Sequence, residues 1–139
     1  MEKSDEIFKV SKDAARANDL FEMALERINI VIKSIPKSVP YKLLEEYYEV
    51  AVQLITSLMY AEGYKTLSHI SLIEYLKKNN EFSDYELEML DKMRKFRHGT
   101  VYYGRKESGN FFINHENEIK KLISKLVNLI RSKIKSQSS

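Results

Sequence analysis

The sequence predicts an all-α protein, a four- to five-helix antiparallel up-and-down bundle. Three observations predict it. Apolar residues recur at steps of three and four through five successive segments, which puts them on one face of a helix. Only four glycines and two prolines punctuate 139 residues, too few for the many tight turns of a sheet protein. No segment reads as a strand: the β-prone Val101-Tyr102-Tyr103 is short and lies between Gly99 and Gly104. Length and a 43% apolar content fit one domain, residues 1–135, with a polar tail at 136–139.

The first segment runs from about Ser4 to Ile35. Its apolar face is Ile7, Val10, Ala14, Ala17, Phe21, Ala24, Leu25, Ile28, Val31 and Ile35, and Ser4 or Asp5 can cap its start. Pro36 and Pro40 bracket a connector, because proline cannot donate inside a helix. Pro40 also suits the first turn of the second segment, whose buried stripe is Leu44, Tyr48, Ala51, Ile55, Leu58 and Met59. Gly63 stands where a left-handed residue closes that helix. The third segment, about Ser68 to Lys78, points Ile70, Ile73 and Leu76 inward and ends at Asn79-Asn80. The fourth opens with Ser83 and Glu86 at the spacing of a capping box and continues through Leu87, Leu90, Met93, Phe96 or Arg97, and Val101. The fifth follows ESGNFFINHENE, residues 107–118, with Asn114 as its expected cap and Ile119, Leu122, Ile123, Leu126, Leu129, Ile130 and Ile134 as its stripe. Its polar end is expected to fray.

Composition narrows the function classes. No apolar run approaches the roughly 20 residues of a membrane-spanning helix. The first ten residues carry acids and no secretory core, so a cytoplasmic location is expected. The absence of cysteine removes disulfides, thiolate metal sites and a cysteine nucleophile. A net charge of +3 permits nucleic-acid binding without demanding it. The distribution is more informative: residues 79–91 hold five acids and no base, and residues 92–106 hold six bases and no acid. Acids early and bases late also suit a helix dipole.

Common enzyme motifs are absent, including a glycine-rich phosphate loop, so no cofactor is expected. His69, His98 and His115 fall on different segments, without the paired spacing of a zinc helix, so no metal is expected. His69 sits in the first turn of the third segment and reads as a polar residue near a cap. His115 lies at the start of the fifth. The stretch Arg94 to Arg105, RKFRHGTVYYGR, concentrates what chemistry there is. Arg94, Arg97, His98 and Val101 share a helical face. Guanidinium forks bind phosphate oxygens in a plane, and tyrosine offers a stacking surface and a hydroxyl. Gly99 inside the helix costs about 1 kcal/mol relative to Ala, which suggests a close neighbouring helix or a local break.

RKFRHGTVYYG near the end of the penultimate helix, together with AEGYKTLSHISLIEYL before it, resembles the HEPN domain family. The resemblance implies a small helical bundle that forms a homodimer. It also implies metal-independent RNase, toxin or RNA-binding activity, or pairing with a minimal nucleotidyltransferase in a toxin–antitoxin system. The family signature is an Arg, commonly followed by a polar residue, with a His a few residues further on. That puts Arg97 at the Arg position and His98 at the polar one. Tyr102 and Tyr103 stand where the signature His is expected. Tyrosine ordinarily titrates near about 10 and is a poor base at neutral pH. The resemblance therefore implies RNA or nucleotide binding by Arg94, Arg97, Tyr102, Tyr103 and Arg105. Two alternatives stay open: an active RNase toxin using Arg97 with His98 or Tyr102, and a purely structural dimerisation module.

Overall fold

The computed structural model describes residues 6–105 and 107–138, with the backbone alone at 101, 102, 137 and 138. Its elements in chain order are β1 (Ile7–Lys9), α1 (Ala14–Glu26), α2 (Pro40–Glu62), β2 (Tyr64–Thr66), α3 (His69–Lys77), α4 (Asp84–Tyr103) and α5 (Glu107–Ser138). Among the described residues the chain is all-α apart from one two-stranded antiparallel sheet, in which Ile7 faces Thr66 and Lys9 faces Tyr64. No helix among the described residues is long and apolar enough to cross a membrane.

α2 is the central helix. It packs most extensively on α5 and α1, and α4 lies against both α5 and α2. The reason is its composition: Leu44, Val50, Leu54, Leu58 and Met59 are all fully buried. They meet Ile119, Leu126 and Ile130 of α5 and Leu90 and Met93 of α4 in one continuous core. Fully burying each such side chain is worth roughly 1.5–3 kcal/mol. Ser57 enters this core because its hydroxyl donates to the Ala17 carbonyl of α1 at 2.6 Å.

Several boundaries follow the local signals. Pro40 occupies the first turn of α2, and Gly63 closes it at φ 90°. A Cβ at Gly63 would lie 3.0 Å from the Val10 carbonyl oxygen, so glycine serves both the turn and the close approach. Ser83 and Glu86 form the capping box of α4, with both reciprocal bonds present. Ser68 caps α3 through the Ser71 N–H.

Other expectations need correction. The first helix begins at Ala14 with Asp13 as its cap, not near Ser4. Ser4 and Asp5 lie outside the described residues. Ile7 to Lys9 form a strand, contrary to the strand-free reading. The left-handed Gly63 turns Tyr64–Thr66 back along the N-terminal segment, and Val10 N–H donates to the Gly63 carbonyl at 2.9 Å. The first helix also changes pitch, to a π-turn over Arg27–Val31 and a 3₁₀ turn over Ile32–Ser34. Pro36 ends it by forcing Ile35 into extended backbone at φ −84°, ψ 126°. Ala14, Val31 and Ile70 are exposed, while Leu72 and Tyr75 join the expected Leu76 on the inward face of α3.

The fifth helix starts at Glu107, seven residues before the expected Asn114 cap. The expected boundary survives as a break in the helical dihedrals at His115 (φ −127°, ψ 18°). The turn before it is helical because Phe111 and Phe112 are buried against the core. The tail does not leave the helix: backbone helicity continues to Ser138.

Candidate phosphate-contacting surface

α4 presents its basic stretch to two different surroundings. Arg94 and Arg97 are three residues apart, close to one turn of the helix, and Arg97 reaches Glu49 and Tyr48 of α2. Arg94 is committed. Its Nε and Nη2 both donate to Asp91 Oδ1, at 3.0 and 2.8 Å, and Lys95 reaches the other Asp91 oxygen at 3.1 Å. Burial pushes the Asp91 carboxyl up, but hydrogen bonds from Arg94 and Lys95 outweigh it and hold the group below the usual carboxylate range.

Arg97 is nearly uncommitted. Its one polar contact among the described residues is Glu49 Oε2 at 3.5 Å, the outer limit of a hydrogen bond. Its guanidinium carbon lies 5.8 Å from the centre of the Tyr48 ring, a cation–π distance that leaves the N–H edges available. A guanidinium has five donors, so most of the Arg97 fork has no partner in the described chain.

Tyr48 joins this group to α3. It is 3% exposed, and its hydroxyl shares a 2.8 Å hydrogen bond with His69 Nδ1. Burial drives the phenol well above its ordinary range, with Arg94 and Arg97 pulling weakly the other way. His69 is partly exposed. Burial lowers its pKa and the positive charge of Arg97 lowers it further; Glu49 opposes and Arg94 adds to the decrease. The imidazole is therefore neutral at pH 7. Three helices thus bring together two guanidiniums, a neutral imidazole and a buried phenol.

The second half of the stretch belongs to the tip of α4. Gly104 ends the helix at φ 66°, and the Gly104 and Arg105 N–H groups donate to the Thr100 and Gly99 carbonyls at 3.1 and 3.2 Å. Arg105 stacks 5.0 Å from the ring centre of Tyr103, which is 64% exposed. His98 meets the edge of the Tyr103 ring at 5.7 Å. Thr100 and Ser108 hydroxyls, 2.6 Å apart, tie this tip to the start of α5. Lys95, Phe96, Gly99, Arg105 and Glu107 line a groove of about 450 Å³ beside it.

Among the described residues no hydrogen bond, ion pair or ring contact joins Arg94 or Arg97 to Tyr103 or Arg105. The five candidate binding residues therefore divide into Arg94 with Arg97, and Tyr103 with Arg105. The Tyr102 side chain lies outside the described residues. Gly99 does not break α4, and among the described residues a Cβ there would touch only the Arg105 side chain, at 3.7 and 3.9 Å, not a neighbouring helix.

Sequence reasoning did not join Tyr48, Glu49 or His69 to the site; His69 read as a polar residue near a cap. Tyr48 read as plain core, and in part it is. The usable signal for His69 was the Gly-Tyr-Lys-Thr-Leu-Ser-His stretch, in which a capping Ser delivers a histidine to the end of α3. Another groove, of about 440 Å³ between α1 and α5, is lined by Leu25, Ile28, Tyr47, Ile123 and Val127 with Lys120 and Arg131 at its rim. Asn29, Ser124 and Asn128 complete its lining, where burial raises the Tyr47 phenol and Lys120 acts against that rise. Among the described residues no three His, Asp or Glu side chains converge as metal ligands. Compared with family models, curated proteins and solved structures, the sequence matches none of them.

Proposed function

We propose that the chain is a HEPN-type helical module, an up-and-down bundle acting as a homodimer, that binds RNA or a nucleotide through the phosphate. It works by itself or as the partner of a minimal nucleotidyltransferase. The observation that carries this reading is the Arg97 guanidinium. It is partly buried, weakly held by Glu49, and stands beside a neutral His69. A phosphate oxygen pair accepts from such a fork in its plane, and the half-buried setting strengthens each bond relative to open solvent. Arg94, held by Asp91, adds positive potential rather than free donors.

The test is the affinity for a labelled single-stranded oligoribonucleotide, followed by fluorescence anisotropy at low salt. Arg97→Ala is expected to weaken binding about tenfold or more, and Arg97→Lys nearly as much because lysine lacks the planar fork. Arg94→Ala is expected to cost less. Binding should weaken steeply as salt rises. Equal affinities for wild type and Arg97→Ala would sink the assignment. Cleavage of the same RNA in metal-free buffer would replace binding with catalysis as the function.

A further inference from the structure

We propose that the buried Tyr48 hydroxyl fixes His69 in the neutral tautomer with its hydrogen on Nε2, making His69 a hydrogen-bond donor to the phosphate held by Arg97. The inference rests on the phosphate-binding reading of Arg97 and assigns a partner residue to that site.

Among the described residues the Tyr48 hydroxyl has one hydrogen-bond partner, His69 Nδ1, at 2.8 Å. At 3% exposure the phenol has almost no access to solvent. If Nδ1 carried the hydrogen and donated to the phenol oxygen, the phenol proton would be buried without an acceptor. Leaving a buried donor unsatisfied costs about 1–3 kcal/mol. A phenol is also the stronger acid of the two, and an imidazole lone pair the stronger base. Both arguments orient the bond as O–H donating to Nδ1. A neutral imidazole whose Nδ1 accepts must hold its hydrogen on Nε2.

Protonating His69 would put a second hydrogen on Nδ1, facing the phenol. The surrounding charges make that step worse. Arg94 and Arg97 of α4 both act against a positive ring; Glu49 of α2 favours it, and Asp91 of α4 is already engaged by Arg94 and Lys95. The result is a ring that resists charging and offers no lone pair at Nε2. Among the described residues Nε2 has no hydrogen-bond partner in the chain. An Arg97 fork and an Nε2–H donor together select an acceptor-only oxyanion, the class to which the phosphate of the proposed ligand belongs. The same tautomer argues against His69 as a general base, because a base needs a free lone pair where this ring has hydrogen. Tyr48 is a positioning residue here, acting through His69.

The tautomer is read directly from long-range ¹H–¹⁵N correlation spectra of the labelled wild-type protein at pH 7.5, without ligand. The expected pattern is that of a neutral Nε2–H ring. In Tyr48→Phe, which keeps the ring and removes the hydroxyl, the pattern should move toward a mixture of tautomers and the His69 titration should shift upward. An Nδ1–H pattern in wild type, or an unchanged His69 spectrum in Tyr48→Phe, overturns the proposal. The donor role is read by titrating inorganic phosphate at pH 8. His69→Ala should bind about tenfold more weakly, the factor for one charge-assisted hydrogen bond. His69→Gln, whose amide NH₂ reaches a similar position, should stay within about twofold of wild type by the same hydrogen-bond equivalence. Wild-type affinity in His69→Ala removes the donor role. Failure of Arg97→Ala to change phosphate binding removes the site itself, whereas the tautomer is measured in the free protein and stands or falls separately.

Discussion

Arg97 and Arg105 stand eight residues apart in one basic run and meet opposite surroundings. Arg97 lies on the body of α4, where α2 and α3 half-bury it beside a phenol, a carboxylate and an imidazole. Arg105 lies past a left-handed glycine at the tip, folded over an exposed tyrosine. The charge is the same, but the energetic weight is not. In a half-buried site each polar contact is strengthened and each missing partner costs more. At the exposed tip the same guanidinium is screened by water and salt. The lesson is that a cluster in sequence is not a cluster in space. Helix phase and one αL glycine divide it.

The largest test of that contrast compares the tyrosine in each group. Tyr48 is 3% exposed and Tyr103 is 64% exposed. Tyr48→Ala should lower unfolding free energy in urea by about 3–5 kcal/mol, the usual cost of truncating a buried aromatic side chain. Tyr103→Ala should stay within about 0.5 kcal/mol. Comparable losses at the two positions would show that the tip is held as firmly as the body, and the division would be wrong.

Much of the fold is legible because its signals are local. Pro40, Gly63 and the Ser83–Glu86 box each act within one helical turn, and the elements begin or end at them. The sequence cannot show the β1–β2 pairing in the same way. A strand of three residues, Ile7–Lys9, has no period to detect, and its partner is 57 positions away at Tyr64–Thr66. Nor does a local rule reveal that Phe111 and Phe112 would extend α5 backwards, since only the α2 and α4 surfaces make burying them favourable. The site divides similarly. Arg94 and Arg97 are conspicuous by charge and spacing. Tyr48 and His69 are not, because their roles come from a contact 21 residues apart in sequence. A phenol on a core stripe and a histidine after a cap each have an ordinary local explanation, and only the packing of α3 on α2 joins them.

The two glycines of the basic run sharpen the comparison with a smaller effect of opposite sign. Gly104 has φ 66°, which a side chain adopts only with strain. Gly104→Ala should destabilise by about 1 kcal/mol even though open space surrounds it. Gly99 is in regular helix, and a Cβ there would meet Arg105 methylenes at ordinary contact distance. Gly99→Ala should therefore stabilise by up to about 1 kcal/mol through helix propensity. Thermal unfolding monitored at 222 nm reads both. A destabilised Gly99→Ala would mean that the groove beside Lys95 and Arg105 depends on the missing side chain.

The smallest effect is in pH dependence, and it isolates His69 from the tip. Burial, followed by the charge of Arg97, holds its folded pKa below the ordinary value of 6.5. In the unfolded chain both influences vanish. Between the folded value and 6.5 the unfolded state binds more protons, so stability rises with pH across that window. His69 thus contributes fully above the unfolded pKa, and its contribution is lost as pH falls through the folded one. The paired carboxylates act lower. Asp91 and Glu86 are both pushed up by burial but pulled down more strongly by their hydrogen-bonded cations, and their contributions fade only as pH drops below about 4. Melting temperatures of wild type should therefore decline between pH 7.5 and 5.5. His69→Gln, which cannot titrate, should give a flatter curve over that range and follow the wild-type slope below pH 4.5. Parallel curves for wild type and His69→Gln would mean that the ring beside Tyr48 charges as easily folded as unfolded. The half-buried body of α4 would then differ from its tip in shape alone.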